Sequence, residues 1–460
     1  FKQKTAYEIM PSLVGSEMCI RDRITMEMYG LATAGICWPE FKDAQMWVDY
    51  AVEKMVPEIT NQVYPDGVQK ELTSSYHWVA LYNFECFYHL TEHARNSKLR
   101  PLPLAFEQGL ERMWNYLAYS MRPDGYGPLN NDSDRVYYRE LVLQAAETFN
   151  RPDWIYIASN GKQGKKPSGQ PSIVFPWAGQ VIMRSGWDKN AHWAFFDAGP
   201  WGMGHQHNDK LHLSVAAYGR DLLVDSGRFS YRWGPFRKYF LGSASHNVIL
   251  INGHGQNPGL AITDQPLEDN FVIAPDFDYA RGIFEKGFDS IDEQVIHIRA
   301  VMYIRGKFWV VVDRIITPKP VDIQTLWHWH PDCTVIIEGN SVASVDEDKG
   351  NLRIIPVSQL LWTVNIIKGQ IKPTIQGWYS DKYNHKRPSP TAVYSTQIDK
   401  TATFAWLLIP AQGNVPYPKA EITAEDEKSV QLHIEVPSEK PIDVTLPLKE
   451  GKPMLVIGSL

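Results

Sequence analysis

From Ile24 to about Arg151 the apolar positions recur with a helical period. Ala44, Trp47, Val48, Ala51, Val52, Met55 and Val56 fall at i, i+3, i+4, i+7 and i+8, the stripe of a helix with one buried face. Pro57 lacks an amide hydrogen and is expected to end or kink that helix. Phe106, Leu110, Met113, Trp114, Leu117 and Met121 repeat the stripe until Pro123-Asp124-Gly125 stops it. Tyr76 to His93 reads as another helix, with Ser74 or Ser75 available as its N-cap. Helices joined by short turns predict an all-helical layer, and no repeat period marks a solenoid.

Residues 161–172 (GKQGKKPSGQPS) carry no apolar period and read as a linker between a helical domain over 24–160 and a second domain over 173–460. Beyond the linker the period falls to two. Leu211, Leu213, Val215 and Ala217 alternate, Gly219-Arg220-Asp221 can turn the chain, and Leu222 to Asp225 returns. A second hairpin is expected around Arg305-Gly306-Lys307 within Val295–Val312, and Val430, Leu432, Ile434 and Val436 alternate near the end. Helices followed by strands, rather than alternating with them, predict an α+β multidomain chain whose second part is a large antiparallel β-sandwich.

Composition narrows the function classes without naming one. The chain has 460 residues, 44% of them hydrophobic and 21% charged, which fits two or three ordinary globular domains. Aromatics reach 12%, with 16 Trp, which suits sugar stacking but more often fills large cores. A net charge of −6 offers nucleic acid no general attraction. Cys19, Cys37, Cys86 and Cys333 form no CxxC pair, so neither a disulfide framework nor a thiolate zinc site is expected. No apolar run is long enough for a membrane span. Glu17-Met18-Cys19-Ile20-Arg21-Asp22-Arg23 reads as a translated sequencing adaptor, so residues 1–23 are expected to be foreign to the fold.

The chemistry-bearing residues cluster. Gly204-His205-Gln206-His207-Asn208-Asp209 is followed by Leu222-Leu223-Val224-Asp225 and then by Ser245-His246-Asn247. Neutral imidazole and carboxylate are ligands that borderline divalent metals accept. Any one histidine is more often a locally bonded core or surface residue; the set in this order favours a metal site with a further histidine beside it. His328 and His330, alternating with Trp327 and Trp329, fit a structural strand better than a second site. Asn131-Asp132-Ser133-Asp134 lacks the Gly and Glu of a calcium loop and reads as a polar turn.

GHQHND, LLVDSG and SASHNV in this order resemble the heparinase II/III-like family of polysaccharide lyases, as do Pro65–Glu71 and Ser74–His77. The resemblance covers most of the chain from Ile24 onward. It implies an α/α toroid, incomplete here, followed by the β-sandwich. It also implies β-elimination on a uronic-acid-containing acidic polysaccharide, in the periplasm or outside the cell. By the same matching Tyr76 and His205 are catalytic, His207, Asp225 and His246 bind a structural Zn2+, and Glu71, His77, Gln206 and Tyr231 contact the sugar. The family also uses an Asn or His about fifty-five residues before the tyrosine to neutralise the substrate carboxylate; that count lands near Arg21, inside the adaptor-like segment. The chain as written is therefore expected to be inactive or nearly so. Two other readings stand beside the lyase: a zinc hydrolase using the same three ligands, and a non-catalytic carbohydrate-binding protein.

Overall fold

The computed structural model describes residues 20–94, 101–268 and 270–458, with residues 20–23 described as backbone only. Helices α1 (Ile20–Cys37), α2 (Ala44–Asn61), α3 (Ser74–His93), α4 (Leu104–Ser120), α5 (Arg139–Thr148) and α6 (Pro152–Ala158) form the first layer. Of the adaptor-like segment, residues 1–19 lie outside the described residues, and the backbone of 20–23 is the first turn of α1. Pro57 does not end α2, which continues to Asn61. Its ring is exposed, and Ile59, one half-turn on, is buried against Gly109 of α4, so packing holds the last turn together.

The cap of α3 is Thr73, not Ser74 or Ser75: the Thr73 hydroxyl accepts from the Tyr76 amide at 3.4 Å. The two serines tie this helix end to a distant loop instead. Ser74 Oγ donates to the Pro128 carbonyl at 2.6 Å, and Ser75 Oγ accepts from the Asp134 amide at 2.9 Å. The start of α3 and the 128–134 loop are thereby one rigid unit.

No helix or strand spans residues 159–172. Antiparallel strands β1 (Ile173–Phe175), β2 (Gln180–Arg184), β3 (Trp193–Asp197), β4 (Leu213–Ala217) and β5 (Arg220–Leu223) follow as one sheet in that order. Both its faces are buried. Ile182, Trp193, Phe195 and Ala216 pack into the helical core, while Val181, Met183, Ala194, Phe196 and Val215 face the opposite way. The β4–β5 turn is Tyr218-Gly219, both at positive φ as a tight two-residue hairpin requires, one residue earlier than the sequence suggests.

The rest of the β part is stacked more deeply than a two-sheet sandwich. An eight-stranded antiparallel sheet runs from 335–338 at one edge through 402–412 and 308–316 to 271–273 at the other. One of its faces (Tyr303, Trp309, Val311, Trp406) meets β1–β5 together with a four-stranded sheet that contains 321–328 and β6 (Ile249–Ile251). Its other face (Met302, Val310, Val312, Leu407) is covered by the C-terminal four-stranded sheet, whose Val430, Leu432 and Ile434 point inward. The expected hairpin around Arg305–Lys307 pairs 296–304 with 308–316. His328 is a structural residue, as expected: it is buried, with Nε2 3.1 Å from the Ala244 carbonyl. Cys37, Cys86 and Cys333 are free.

Several histidines are buried with no carboxylate close enough to offset the cost of burying their charge. Burial pushes His77 down to about 3, and His192 and His328 down to about 4. Each stays neutral in the folded chain while the unfolded chain takes up a proton near pH 6.5, so unfolding consumes protons below that pH. Stability is therefore full above about pH 6.5 and falls as pH drops toward 4. The melting temperature is expected to fall by on the order of 10 °C between pH 7 and pH 4, with a shallower fall in His328→Gln. A melting temperature flat across that range would contradict this account.

Candidate active site and metal centre

The histidine segments meet the start of α3 at the seam between the helical layer and the sheets. His205, Gln206 and His207 lie on the loop between β3 and β4, Asp225 follows β5, and His246 precedes β6. Helix α7 (Pro235–Leu241) lies between the last two. The loop bearing His205 comes close to the segment that bears Glu71: a Cβ on Gly202, at φ 94°, would sit 3.0 Å from the Glu71 carbonyl oxygen.

Tyr76 and His205 are in face-to-face contact, with ring centroids 3.5 Å apart and planes 11° from parallel. The Tyr76 hydroxyl is 2.7 Å from that of Tyr231, which lies 3.4 Å from His205 Nδ1. Glu71 Oε2 stands 3.6 Å from His205 Nε2. Burial, then the charge of Asp132, then the contact with Tyr76 push the Tyr231 phenol well above its ordinary range, so it stays protonated. Gln206 is half-buried beside His205, and its Oε1 is buried with no hydrogen-bond partner among the described residues.

His77 does not join this group. It is fully buried, Nδ1 accepts from the Gln69 amide at 3.2 Å, and Nε2 donates to the Met113 carbonyl at 3.0 Å. Successive residues on a helix point about 100° apart, so where Tyr76 faces the cleft His77 faces the core. The expected sugar contact through His77 is corrected to a structural role, holding the turn that leads to Glu71.

His207, Asp225 and His246 are all buried, and one ligand atom from each lies within 4.8 Å of the others. Their outward atoms are already used. His207 Nε2 is 3.0 Å from Asp132 Oδ1, His246 Nδ1 donates to the Gly242 carbonyl at 2.9 Å, and Asp225 Oδ1 accepts from the Gly227 amide at 2.8 Å. His207 Nδ1, His246 Nε2 and Asp225 Oδ2 converge, and Asp225 Oδ2 is buried with no hydrogen-bond partner among the described residues. Burial, reinforced by the neighbouring Asp209 carboxylate, pushes Asp225 well above its ordinary range; burial pushes His207 and His246 below theirs. An orphaned carboxylate oxygen facing two imidazole lone pairs is the donor set of a divalent cation, with outer hydrogen bonds orienting each ligand.

The sequence reading missed the group at the centre. Asp132, taken for part of a polar turn, is fully buried. Its Oδ1 and Oδ2 receive the two terminal nitrogens of Arg237 at 2.5 and 2.7 Å and also face His207 and His205. Burial would raise this carboxyl, but the hydrogen bonds from His205, His207 and Arg237 outweigh it and hold the group far below the usual range. Asn131, at φ 53°, donates to the Leu72 carbonyl at 2.9 Å and accepts from the His207 amide at 2.7 Å. The density of polar residues at 130–134 was the only signal in the sequence, and Arg237 had none.

Comparison with known proteins identifies the family and the fold. The family described as Heparinase II/III-like, C-terminal matches residues 167–407, and the Heparinase II/III N-terminus matches residues 21–155. The heparin-sulfate lyase of Pedobacter heparinus is 26% identical over 392 residues, 83% of this chain and 56% of that protein. The heparin-sulfate lyase of Bacteroides thetaiotaomicron is 25% identical over 421 residues, 84% of this chain and 57% of that protein. The chain thus spans a little over half the length of the curated relatives it matches. Among solved structures, the heparan sulfate lyase HepC from Pedobacter heparinus has a similar fold, with TM-score 0.79 at 24% identity, covering 94% of this chain and 69% of that one. Heparinase III is comparable, with TM-score 0.78 at 21% identity, covering 93% of this chain and 67% of that one.

The three convergent ligands predict one equivalent of zinc per chain by elemental analysis. At free zinc about one hundred times the dissociation constant, the folded state should gain about 2.7 kcal/mol. His246→Ala should lose both the bound metal and the thermal shift. A chain that takes up no divalent metal would remove the centre from consideration.

Proposed function

The chain belongs to the heparinase II/III-like family, and from that membership we propose that it cleaves a uronic-acid-containing acidic polysaccharide by β-elimination. The observation that carries the reading is the flat contact of Tyr76 on His205, with Tyr231 bonded to the phenol. The names of the relatives, heparin-sulfate lyases, point the same way. We read the helical layer as part of an α/α toroid, and from the size of a polymeric substrate we propose action in the periplasm or outside the cell.

Elimination removes the proton from C5 of the uronic acid and expels the oxygen of the 4-linked sugar, leaving a double bond in the ring. Tyr76 takes the C5 proton and returns it to the leaving oxygen. A phenol near pKa 10 is a poor base at neutral pH unless its anion is stabilised. Two neighbours supply that: the protonated Tyr231 donates a hydrogen bond to the Tyr76 oxygen, and the amide end of α3 contributes positive potential at its first turn. His205 holds the ring from its face and offers Nε2 toward Glu71 and the substrate. Glu71, Gln206 and Tyr231 contact the sugar. The residue that would neutralise the substrate carboxylate falls near Arg21, whose side chain lies outside the described residues.

His207, Asp225 and His246 would hold zinc; when bound, it supplies a positive charge that crosslinks three chain segments. Its ligands are between 0% and 3% exposed, which supports a structural ion over one that activates water for hydrolysis.

The decisive experiment uses the full-length protein. Incubated with a panel of uronic-acid polysaccharides, it should generate the ultraviolet absorbance of the new conjugated double bond. Tyr76→Phe should lower that rate at least about 100-fold without changing the melting temperature. New reducing ends without the absorbance would instead establish a hydrolase. Binding that survives both Tyr76→Phe and His205→Ala, with no product, would establish a carbohydrate-binding protein.

A further inference from the structure

We infer that Arg228 is an oxyanion-binding residue of the cleft, whose unbonded Nη1 takes a carboxylate or sulfate oxygen of the sugar chain beside Tyr76 and Tyr231. The identity of that chain rests on the lyase reading; the site itself rests on how Arg228 is held. Its side chain is 12% exposed, and the structure fixes it through both backbone and guanidinium.

Gly227 and Phe229 flank Arg228 at φ 76° and 58°, both in the left-handed region. A Cβ on Gly227 would collide with the Ser380 carbonyl oxygen, which accounts for the glycine. Phe229 adopts its φ only under constraint, because the conformation disfavours a bulky L side chain. The hairpin over 378–388 supplies that constraint. Its Ser380 amide donates to the Ser226 carbonyl at 2.8 Å, and its Asn384 amide donates to that of Phe229 at 2.6 Å. Strain of this kind collects where a side chain must be aimed.

The guanidinium is held as firmly. Nε and Nη2 donate to the two oxygens of Asp134 at 2.9 and 2.6 Å, and the rings of Tyr231 and Tyr383 lie 4.9 and 5.1 Å from its central carbon. Both supports lead to Tyr76. The Asp134 amide is bonded to Ser75, the preceding residue, and the Tyr231 hydroxyl to the Tyr76 phenol. The fork on Asp134 uses one edge of the guanidinium and leaves Nη1 at the opposite corner. Nη1 has no hydrogen-bond partner among the described residues. A guanidinium nitrogen only donates, so its missing partner is an acceptor, and an oxyanion is the acceptor it binds most strongly. Tyr231 and Tyr383 are both exposed, so a sugar chain can reach this corner. Asp134 offsets the charge of Arg228, so the direction of the donor, not a broad positive field, selects the ligand.

The test is a calorimetric titration of the full-length protein carrying Tyr76→Phe, so that ligand is not consumed, with Arg228 intact or replaced. The probe is one sulfated uronic-acid oligosaccharide in native, carboxyl-reduced and desulfated forms. Arg228→Gln should weaken binding of the native form about 10-fold or more, the worth of one charge-assisted hydrogen bond. It should cost nothing further on the form that already lacks the partner: the carboxyl-reduced chain if Arg228 binds a carboxylate, the desulfated chain if it binds a sulfate. Arg228→Lys keeps the charge opposite Asp134 but loses the fork, and should show the same pattern even where the glutamine variant does not fold. An equal loss on all three forms would reduce Arg228 to structural support and overturn the inference. So would unchanged binding of the native form, or no binding of any form with Arg228 intact. Ultraviolet absorbance with Tyr76 restored separates the two claims. Elimination together with Arg228-independent binding overturns this inference alone, and Arg228-dependent binding without elimination overturns the lyase reading alone.

Discussion

The double burial of the five-stranded sheet β1–β5 is the constraint on which the rest of the molecule depends. A sheet with one wet face could have been a free-standing module joined to the helices by the 161–172 segment. Here Trp193 and Phe195 enter the helical core while Ala194 and Phe196, between and beside them, enter the β core. Large apolar side chains on both sides of one strand cannot be exposed without losing about 1.5–3 kcal/mol each. The helical layer and the β layers are therefore held in fixed register. A cleft whose residues come from both sides, Tyr76 from one and His205 from the other, can exist only under that condition.

Electrostatics then does locally what packing does globally. Tyr76 lies in the first turn of α3, but His205 sits on a loop, which alone would not hold the two ring centroids 3.5 Å apart. Two buried ion pairs lock the loops here. Asp132 and Arg237 fix the histidine loop from the cleft side. From behind, Arg299, paired with Asp313 across two strands of the eight-stranded sheet, donates at 2.9 Å to the Leu211 carbonyl and at 2.6 Å to that of Asn247. These carbonyls follow His207 and His246 in the chain, so one guanidinium spans both candidate-ligand segments. Such a buried pair adds little net stability over an apolar replacement, but breaking it strands a charge. Its value lies in holding one geometry.

The His207, Asp225 and His246 cluster shows why buried polar groups of this kind are costly without an ion. Asp225 and Asp209 are both buried, and Asp209 is pushed up to about 7 by its burial. Neighbouring histidines pushed to neutrality cannot supply the missing positive charge. The fold concentrates acceptors around one point, and a divalent cation is the simplest group that satisfies them together.

Much of this was legible in one dimension. The helical stripes at 44–56 and 106–121, the hairpins near 218 and 306, and the order of the three histidine motifs depend on neighbours close in the chain, where periodicity and turn chemistry act. The family likeness followed from those motifs. Other features depend on partners fifty or more residues away and left little trace: Thr73 rather than Ser74 as the cap, the survival of α2 past Pro57, the deep stacking of the sheets. Tyr76, expected to be catalytic, and His77, expected to contact the sugar, are adjacent, yet one faces the cleft and the other the core. Asp132 sat in a stretch noticed only for its polarity. By itself the sequence determined most of the elements and which side chains are candidates for metal and proton chemistry. Only the tertiary structure decided that Asp132 and Arg237 hold them together, because a buried carboxylate acquires its role from the donors that folding places around it.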